Sequence, residues 1–240
     1  MHFVLVHGAW HGGWCWDRLT PLLEAGGASV TAPDLPGAGA DETAVEAIDL
    51  ELYAEHVERW IRELDRPVEL VGHSMGGAVI SRVAERLPQY LTGLTYLCAF
   101  LPRDGESLGQ LGAEDADTQL NAALHAGTTA GTLELDAEDA RRIFYHDCPA
   151  ADAELALARL RPQPVAPLRA PVVLSTAAWG SVPRAYVLCT EDRAVSPAQQ
   201  RRMLERVPCD PVIELATGHS PFHAAPERLA EALLGIAAAR

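Results

Sequence analysis

The chain has 240 residues, 48% of them apolar, and sets 33 acidic against 19 basic side chains for a formal charge of -14. That length suits one domain with a sizeable core, and the apolar fraction excludes a disordered chain. The acidity disfavours nucleic acid and anionic membranes as partners and is otherwise the charge of a solubilised surface.

Phe3-Val4-Leu5-Val6 reads as a strand close to the start, where a secretory signal would need a basic stretch and a longer apolar run. Trp16 to Ala25 reads as a helix closed by Gly26-Gly27, and Ser29 to Ala32 as a second strand running into the turn Pro33-Asp34-Leu35-Pro36-Gly37. Ile48, Leu52, Val57, Trp60, Ile61 and Leu64 recur near helical spacing and predict a helix over Ile48 to Leu64. Pro67 to Val71 is a third strand. A helix follows it, with Ala78, Val79, Ile80, Val83, Ala84 and Leu87 on its apolar face and Pro88 as its stop. Gly93 to Ala99 is a fourth strand.

From Leu101 the rhythm breaks. Residues 102–178 hold acidic helical pieces, a Gly/Thr patch from Gly127 to Gly131, and prolines at 162, 164, 167 and 171. They predict an inserted, mostly helical cap, with residues 1–101 and 179–240 as the core. The alternation resumes with a strand at Ala185 to Thr190, a helix at Pro197 to Val207, a strand at Val212 to Ala216 and a helix from Pro226. Strands apolar on both faces with helices between them predict an α/β fold. Its mostly parallel, six-stranded sheet is covered by helices on both faces. No apolar run approaches membrane length. The five cysteines, an odd number with no C-x-x-C pair, read as free thiols, so a reducing, cytoplasmic setting is expected.

The chemistry concentrates where strands end. Gly72-His73-Ser74-Met75-Gly76 matches G-x-S-x-G between an apolar strand and a helix. A serine on so sharp a turn needs neighbours almost free of side chain, and the helix N-terminus behind it favours developing negative charge. The bare pattern is weakly specific; its strand-and-helix context gives it weight. A serine hydroxyl needs a base near neutral pH. His219, in the loop Thr217-Gly218-His219-Ser220 after the last strand, reaches the same sheet edge, with His223 as the alternative. His73 reads as a packed core histidine. The third member, which orients the imidazole, is Asp192 in Thr190-Glu191-Asp192; Glu191 and Asp104 also follow strands and stay open. Asp34, in a proline-flanked turn, reads as a backbone hydrogen-bonding residue. Donors for an oxyanion are the backbone N–H of Met75 and that of Ala9, in the loop His7-Gly8-Ala9-Trp10. His7 and His11 lie four apart, but the glycines between and after them argue for a loop, so no metal is expected, and no cofactor.

Together FVLVHGAWHGGWCW, PLLEAGGASVTAPDLPGAG, VELVGHSMGG, YVLCTEDRAVSPAQQ and the His219 loop resemble the α/β-hydrolase superfamily. More narrowly, they resemble the plant methylesterase and hydroxynitrile lyase group with its bacterial esterase relatives. The resemblance implies Ser74 as nucleophile, Asp192 as acid and His219 as base. It also implies oxyanion donation from Ala9 and Met75, and an apolar pocket beneath the cap, lined by Phe100 and Leu101. Gly8, His11 on its loop near the pocket, and Phe144 in the cap complete the expected substrate contacts. The similar lyases carry threonine where Gly8 stands and lysine where Ser220 stands, so the hydrolytic form is favoured. The expected activity is serine carboxylesterase action on small to medium, largely apolar esters, with a small-molecule ester as partner, neither nucleic acid nor membrane, and a homodimer left open. The alternatives are lyase-like, lactone or amide chemistry on the same fold, or a ligand-binding module.

Overall fold

A computed structural model describes residues 1–240. In chain order the elements are β1 (His2–Val6), α1 (Thr20–Ala25), β2 (Ser29–Thr31), α2 (Leu50–Leu64), β3 (Val68–His73), α3 (Gly76–Arg86) and β4 (Leu91–Leu97). After β4 come α4 (Leu108–Ala113), α5 (Leu120–Ala123), β5 (His125–Ala126), β6 (Thr132–Glu134), α6 (Ala137–Phe144), α7 (Ala150–Leu157), β7 (Gln163–Pro164) and α8 (Ala166–Arg169). The chain closes with β8 (Arg184–Cys189), α9 (Pro197–Arg206), β9 (Val212–Leu215), α10 (Pro221–Ala224) and α11 (Pro226–Ala238).

Six strands form one sheet in the order β2-β1-β3-β4-β8-β9, every pair parallel. β1 and β3 are buried along their whole length, as central strands covered on both faces must be. α3 packs on β1, β3, β4 and α2, while α1 and α11 pack on each other and on β2, β4 and β9. β2 lies on one side of β1 and β3 on the other, so the crossovers reverse direction between β1 and β3. Such a switch point, outside the carboxyl ends of the strands, is the place where such sheets bind ligands.

Several expected elements shift. The helix expected over Trp16 to Ala25 starts only at Thr20, because Pro21 belongs to a first turn, and Gly13–Trp16 forms a separate 3-10 turn. Ile48 stays extended; Asp49 caps α2 by accepting from the Leu52 N–H at 2.8 Å. Trp60, placed by its spacing on the apolar face, is 38% exposed, with its indole N–H on His56. The segment between β4 and β8 carries five helices, as its periodicity suggests, and also a small antiparallel sheet, β5-β6-β7. The Gly127–Gly131 patch turns the chain between β5 and β6. No helix is long and apolar enough to cross a membrane.

Candidate active site

Ser74 sits between β3 and α3 with φ +54, left-handed backbone that a non-glycine residue adopts at a cost of about 1–3 kcal/mol. The neighbouring loop holds it there. Its N–H donates to the Leu97 carbonyl at 3.2 Å, and its carbonyl accepts from Phe100 and Gly77 N–H, each at 3.1 Å. The flanking glycines are needed for space: a Cβ on Gly72 would stand 2.6 Å from the Gly76 carbonyl oxygen.

Asp192 and His219 leave the ends of β8 and β9 and meet. His219 Nδ1 donates to Asp192 Oδ2 at 2.7 Å, with both side chains buried. The other oxygen of the carboxylate accepts from Ala194 N–H (2.7 Å) and Val195 N–H (3.0 Å), and Gln200 Nε2 approaches Oδ2 at 3.3 Å. Four donors around one carboxylate fix its orientation, and the Nδ1–H bond leaves His219 Nε2 as the free lone pair. The other acids are engaged elsewhere. Asp104 accepts from Leu174 N–H, Glu191 is exposed, and Asp34 accepts from Gly13 and Ala40 N–H.

His73 secures the imidazole loop. Its Nε2 donates to the His219 carbonyl at 2.8 Å, and the two rings lie 4.6 Å apart, which brings His219 against the residue preceding Ser74. From the segment between β4 and β8, Asp147 accepts the Gly218 N–H at 2.6 Å and Phe144 packs 5.6 Å from the His219 ring. His223, the alternative base, is buried against Trp14, Phe222 and Tyr145 with no partner on either nitrogen.

A cavity of about 180 Å³ opens over Ser74, walled by Ala9, Trp10, Met75, Phe100, Leu108, Leu120, Leu124, Leu133, Val165 and Leu168 among others. A larger groove elsewhere on the surface, lined by Asp17, Asp34 and Arg159, does not reach Ser74. Neither the Ala9 nor the Met75 N–H donates to another group of the chain. Of the expected substrate contacts, Phe100 is in the wall; Gly8, His11, Leu101 and Phe144 are not. Gly8 abuts His73 and Ser74 so closely that a Cβ would lie 2.8 Å from both. Leu101 turns inward, its N–H directed at Met203 sulfur. Phe144 stands between Trp10, His11 and His219, supporting the wall rather than forming it.

His11 is part of the loop's scaffold. Its Nδ1 donates to the Ala9 carbonyl and its Nε2 accepts from the Tyr145 hydroxyl, each at 2.8 Å. Trp10, at φ +62, is held by Gln163 Oε1, which accepts its N–H at 3.2 Å, and by the Leu133 carbonyl, which accepts its indole N–H. Gln163, Tyr145 and Asp147 leave no motif in the sequence, and Gln200 ends the stretch YVLCTEDRAVSPAQQ without a role assigned to it. Only Gln200, on the helix after Thr190-Glu191-Asp192, lies near enough in the chain to be suspected.

Three histidines beside the site are held neutral. Burial pushes His7 down to about 4 and His11 to about 3, and holds His73 well below the ordinary histidine range. In the unfolded chain each takes up a proton near pH 6.5. Below that pH the unfolded state therefore binds more protons than the folded one, and stability falls as pH drops; above it the contribution is fully present. Each histidine adds a slope of at most one proton, about 1.4 kcal/mol per pH unit. The melting temperature should be flat between about pH 7 and 8 and fall from pH 6.5 to about 5, before most carboxylates titrate. His11→Gln should make that fall shallower; a melting temperature constant through the window would contradict this.

A parallel sheet, a left-handed serine at the β3 end, and a buried acid–imidazole pair after β8 and β9 define the α/β-hydrolase class. The chain belongs to the α/β-hydrolase family, whose model matches residues 3–232. It is similar to Methylesterase 1 of Arabidopsis thaliana, 34% identical over 251 residues that cover 98% of this chain and 95% of that protein. Among solved structures it superposes on a pyrethroid hydrolase from Sphingobium faniae with a TM-score of 0.88 and 30% identity, covering 100% and 98% of the two chains. Polyneuridine aldehyde esterase gives a TM-score of 0.88 at 29% identity, with 98% of each chain covered.

Proposed function

We propose that Ser74 is the nucleophile of a serine carboxylesterase acting on small to medium, largely apolar esters through an acyl-enzyme intermediate. That the chain is a carboxylic ester hydrolase accords with its methylesterase and esterase relatives; the nucleophile, the residue roles and the ester class are what is proposed. The observation that carries it is the buried Asp192–His219 pair, brought against the Ser74 turn beneath an apolar cavity.

In this reading His219 Nε2 takes the Ser74 proton as the oxygen attacks the ester carbonyl. The carbonyl oxygen becomes an oxyanion on the Ala9 and Met75 N–H groups. The alcohol leaves with the proton from His219. Water, deprotonated by the same nitrogen, then attacks the acyl-enzyme, and the acid departs as Ser74 regains its proton. Asp192 keeps the imidazole in its Nδ1–H tautomer and stabilises the imidazolium. Cyanohydrin cleavage is disfavoured, because Gly8 has no space for the threonine of the similar lyases and Ser220 stands in place of their lysine.

The test is a panel of p-nitrophenyl esters from acetate to longer acyl chains, run beside mandelonitrile. Hydrolysis with a short- or medium-chain optimum and no cyanide release is expected. Cyanide release without ester hydrolysis would overturn the reading. A second expectation concerns the oxyanion loop. Gln163→Leu leaves the Trp10 N–H without its acceptor, at a cost of about 1–3 kcal/mol. If that loop presents the Ala9 N–H, kcat should fall roughly tenfold with KM little changed, since the N–H acts on the transition state. A rise in KM at constant kcat would count against it.

A further inference from the structure

The cavity over Ser74 is lined by residues of two kinds. Ala9, Trp10, Ser74 and Met75 are buried, whereas Gly109, Asn121 and Arg169 are exposed to solvent, and the cavity's mouth is read as lying on their side. Leu108, Leu124, Leu133 and Leu168 add apolar wall to the same cavity. Arg169, in the last turn of α8, is the only charged residue in the lining. Its guanidinium makes no ion pair and no hydrogen bond within the chain. Other arginines of the segment between β4 and β8 are tied down: Arg141 to Glu154, Arg142 to Asp139, Arg159 to Asp17, and Arg161 to the carbonyls of Gly39 and Asp41. On a chain of net charge -14, a free guanidinium at the mouth of an apolar cavity is a local exception to the surface's sign.

We propose that Arg169 binds an oxyanion at the end of the ester remote from the reacting carbonyl. The preferred substrates are thus esters with an apolar spacer and a terminal carboxylate, such as half-esters of dicarboxylic acids. The inference rests on the reading of Ser74 as nucleophile. A carboxylate matches the planar fork of a guanidinium, and the apolar wall of the cavity accommodates the spacer. The absence of any acidic residue from the lining means that nothing within the cavity competes for the arginine.

The experiment compares kcat/KM for monomethyl esters of linear dicarboxylic acids of increasing length with methyl alkanoates of matched length. At one spacer length the half-ester should exceed its neutral counterpart by about fivefold at low ionic strength, the advantage shrinking toward parity in high salt. Arg169→Ala should bring the ratio to about one, and Arg169→Glu should invert it. No spacer length with an advantage, or an advantage that survives Arg169→Ala, would overturn the proposal. Calorimetric binding of the best half-ester to Ser74→Ala, with and without Arg169→Ala, separates this inference from the catalytic reading. Binding weakened about fivefold by Arg169→Ala supports the arginine's role even if neither ester is hydrolysed. Equal binding by the two variants overturns it even if both are.

Discussion

Ser74→Ala should lower kcat for ester hydrolysis by at least a thousandfold, toward about a millionfold, while the protein stays folded. The reasoning is that a serine and histidine acting as one unit lose nearly the whole nucleophilic contribution when either is removed. The proposed oxyanion donors, Ala9 and Met75 N–H, remain and should leave a residual rate above that of water. The substitution removes one hydroxyl from a turn held by backbone bonds to Leu97, Phe100 and Gly77, so thermal unfolding should barely change. His219→Gln in the same background should add little further loss. Steady-state kinetics beside a thermal melt check both halves. Retention of more than about a tenth of the activity by Ser74→Ala would exclude the serine as nucleophile.

Gly77→Ala should produce the largest loss of stability from a single methyl group near the site. A Cβ there would lie 2.0 Å from the Phe100 carbonyl oxygen and 3.0 Å from the Ala99 Cβ. The obstacle is backbone, which cannot rotate away as a side chain can. The start of α3 and the segment after β4 must separate, and with them the Phe100–Ser74 hydrogen bond that holds the Ser74 turn. Overpacking of this kind costs about 1–3 kcal/mol, and more where backbone must move. Urea unfolding should report at least about 2 kcal/mol, with activity lost in parallel. Gly235→Ala is the control. That glycine lies inside α11 with open space around its Cβ position, so alanine there should stabilise by about 0.5–1 kcal/mol. A destabilisation by Gly77→Ala no larger than a few tenths would mean that the contact at the elbow is not tight.

The parts of the molecule legible in the sequence are those whose cause is local. Buried strands announce themselves as short apolar runs, and each residue of the proposed triad follows one within four residues, so strand ends point to Ser74, Asp192 and His219 as candidates. The choice between Asp192 and Glu191 was harder, because both leave β8. The structure favours Asp192, wrapping Ala194 and Val195 N–H groups and Gln200 around its carboxylate while Glu191 faces solvent. The small sheet β5-β6-β7 escaped notice because strands of two or three residues are too short to display alternation. Gln163 escaped for another reason. Its partner, the Trp10 N–H, lies 153 residues away, and no spacing within either segment records such a contact. The same holds for Tyr145 on His11, across 134 residues. His11 and Phe144 were expected at the substrate for their chemistry and place; the fold spends both on packing around the loop and the imidazole.

The most direct measurement is to treat the protein with an organophosphonate and read the modified residue by mass spectrometry. One adduct per chain, on Ser74, formed in step with loss of esterase activity and slowed by a competing ester, is the expected result. Full inactivation with the adduct on another residue, or esterase activity that persists with Ser74 fully modified, would contradict the account.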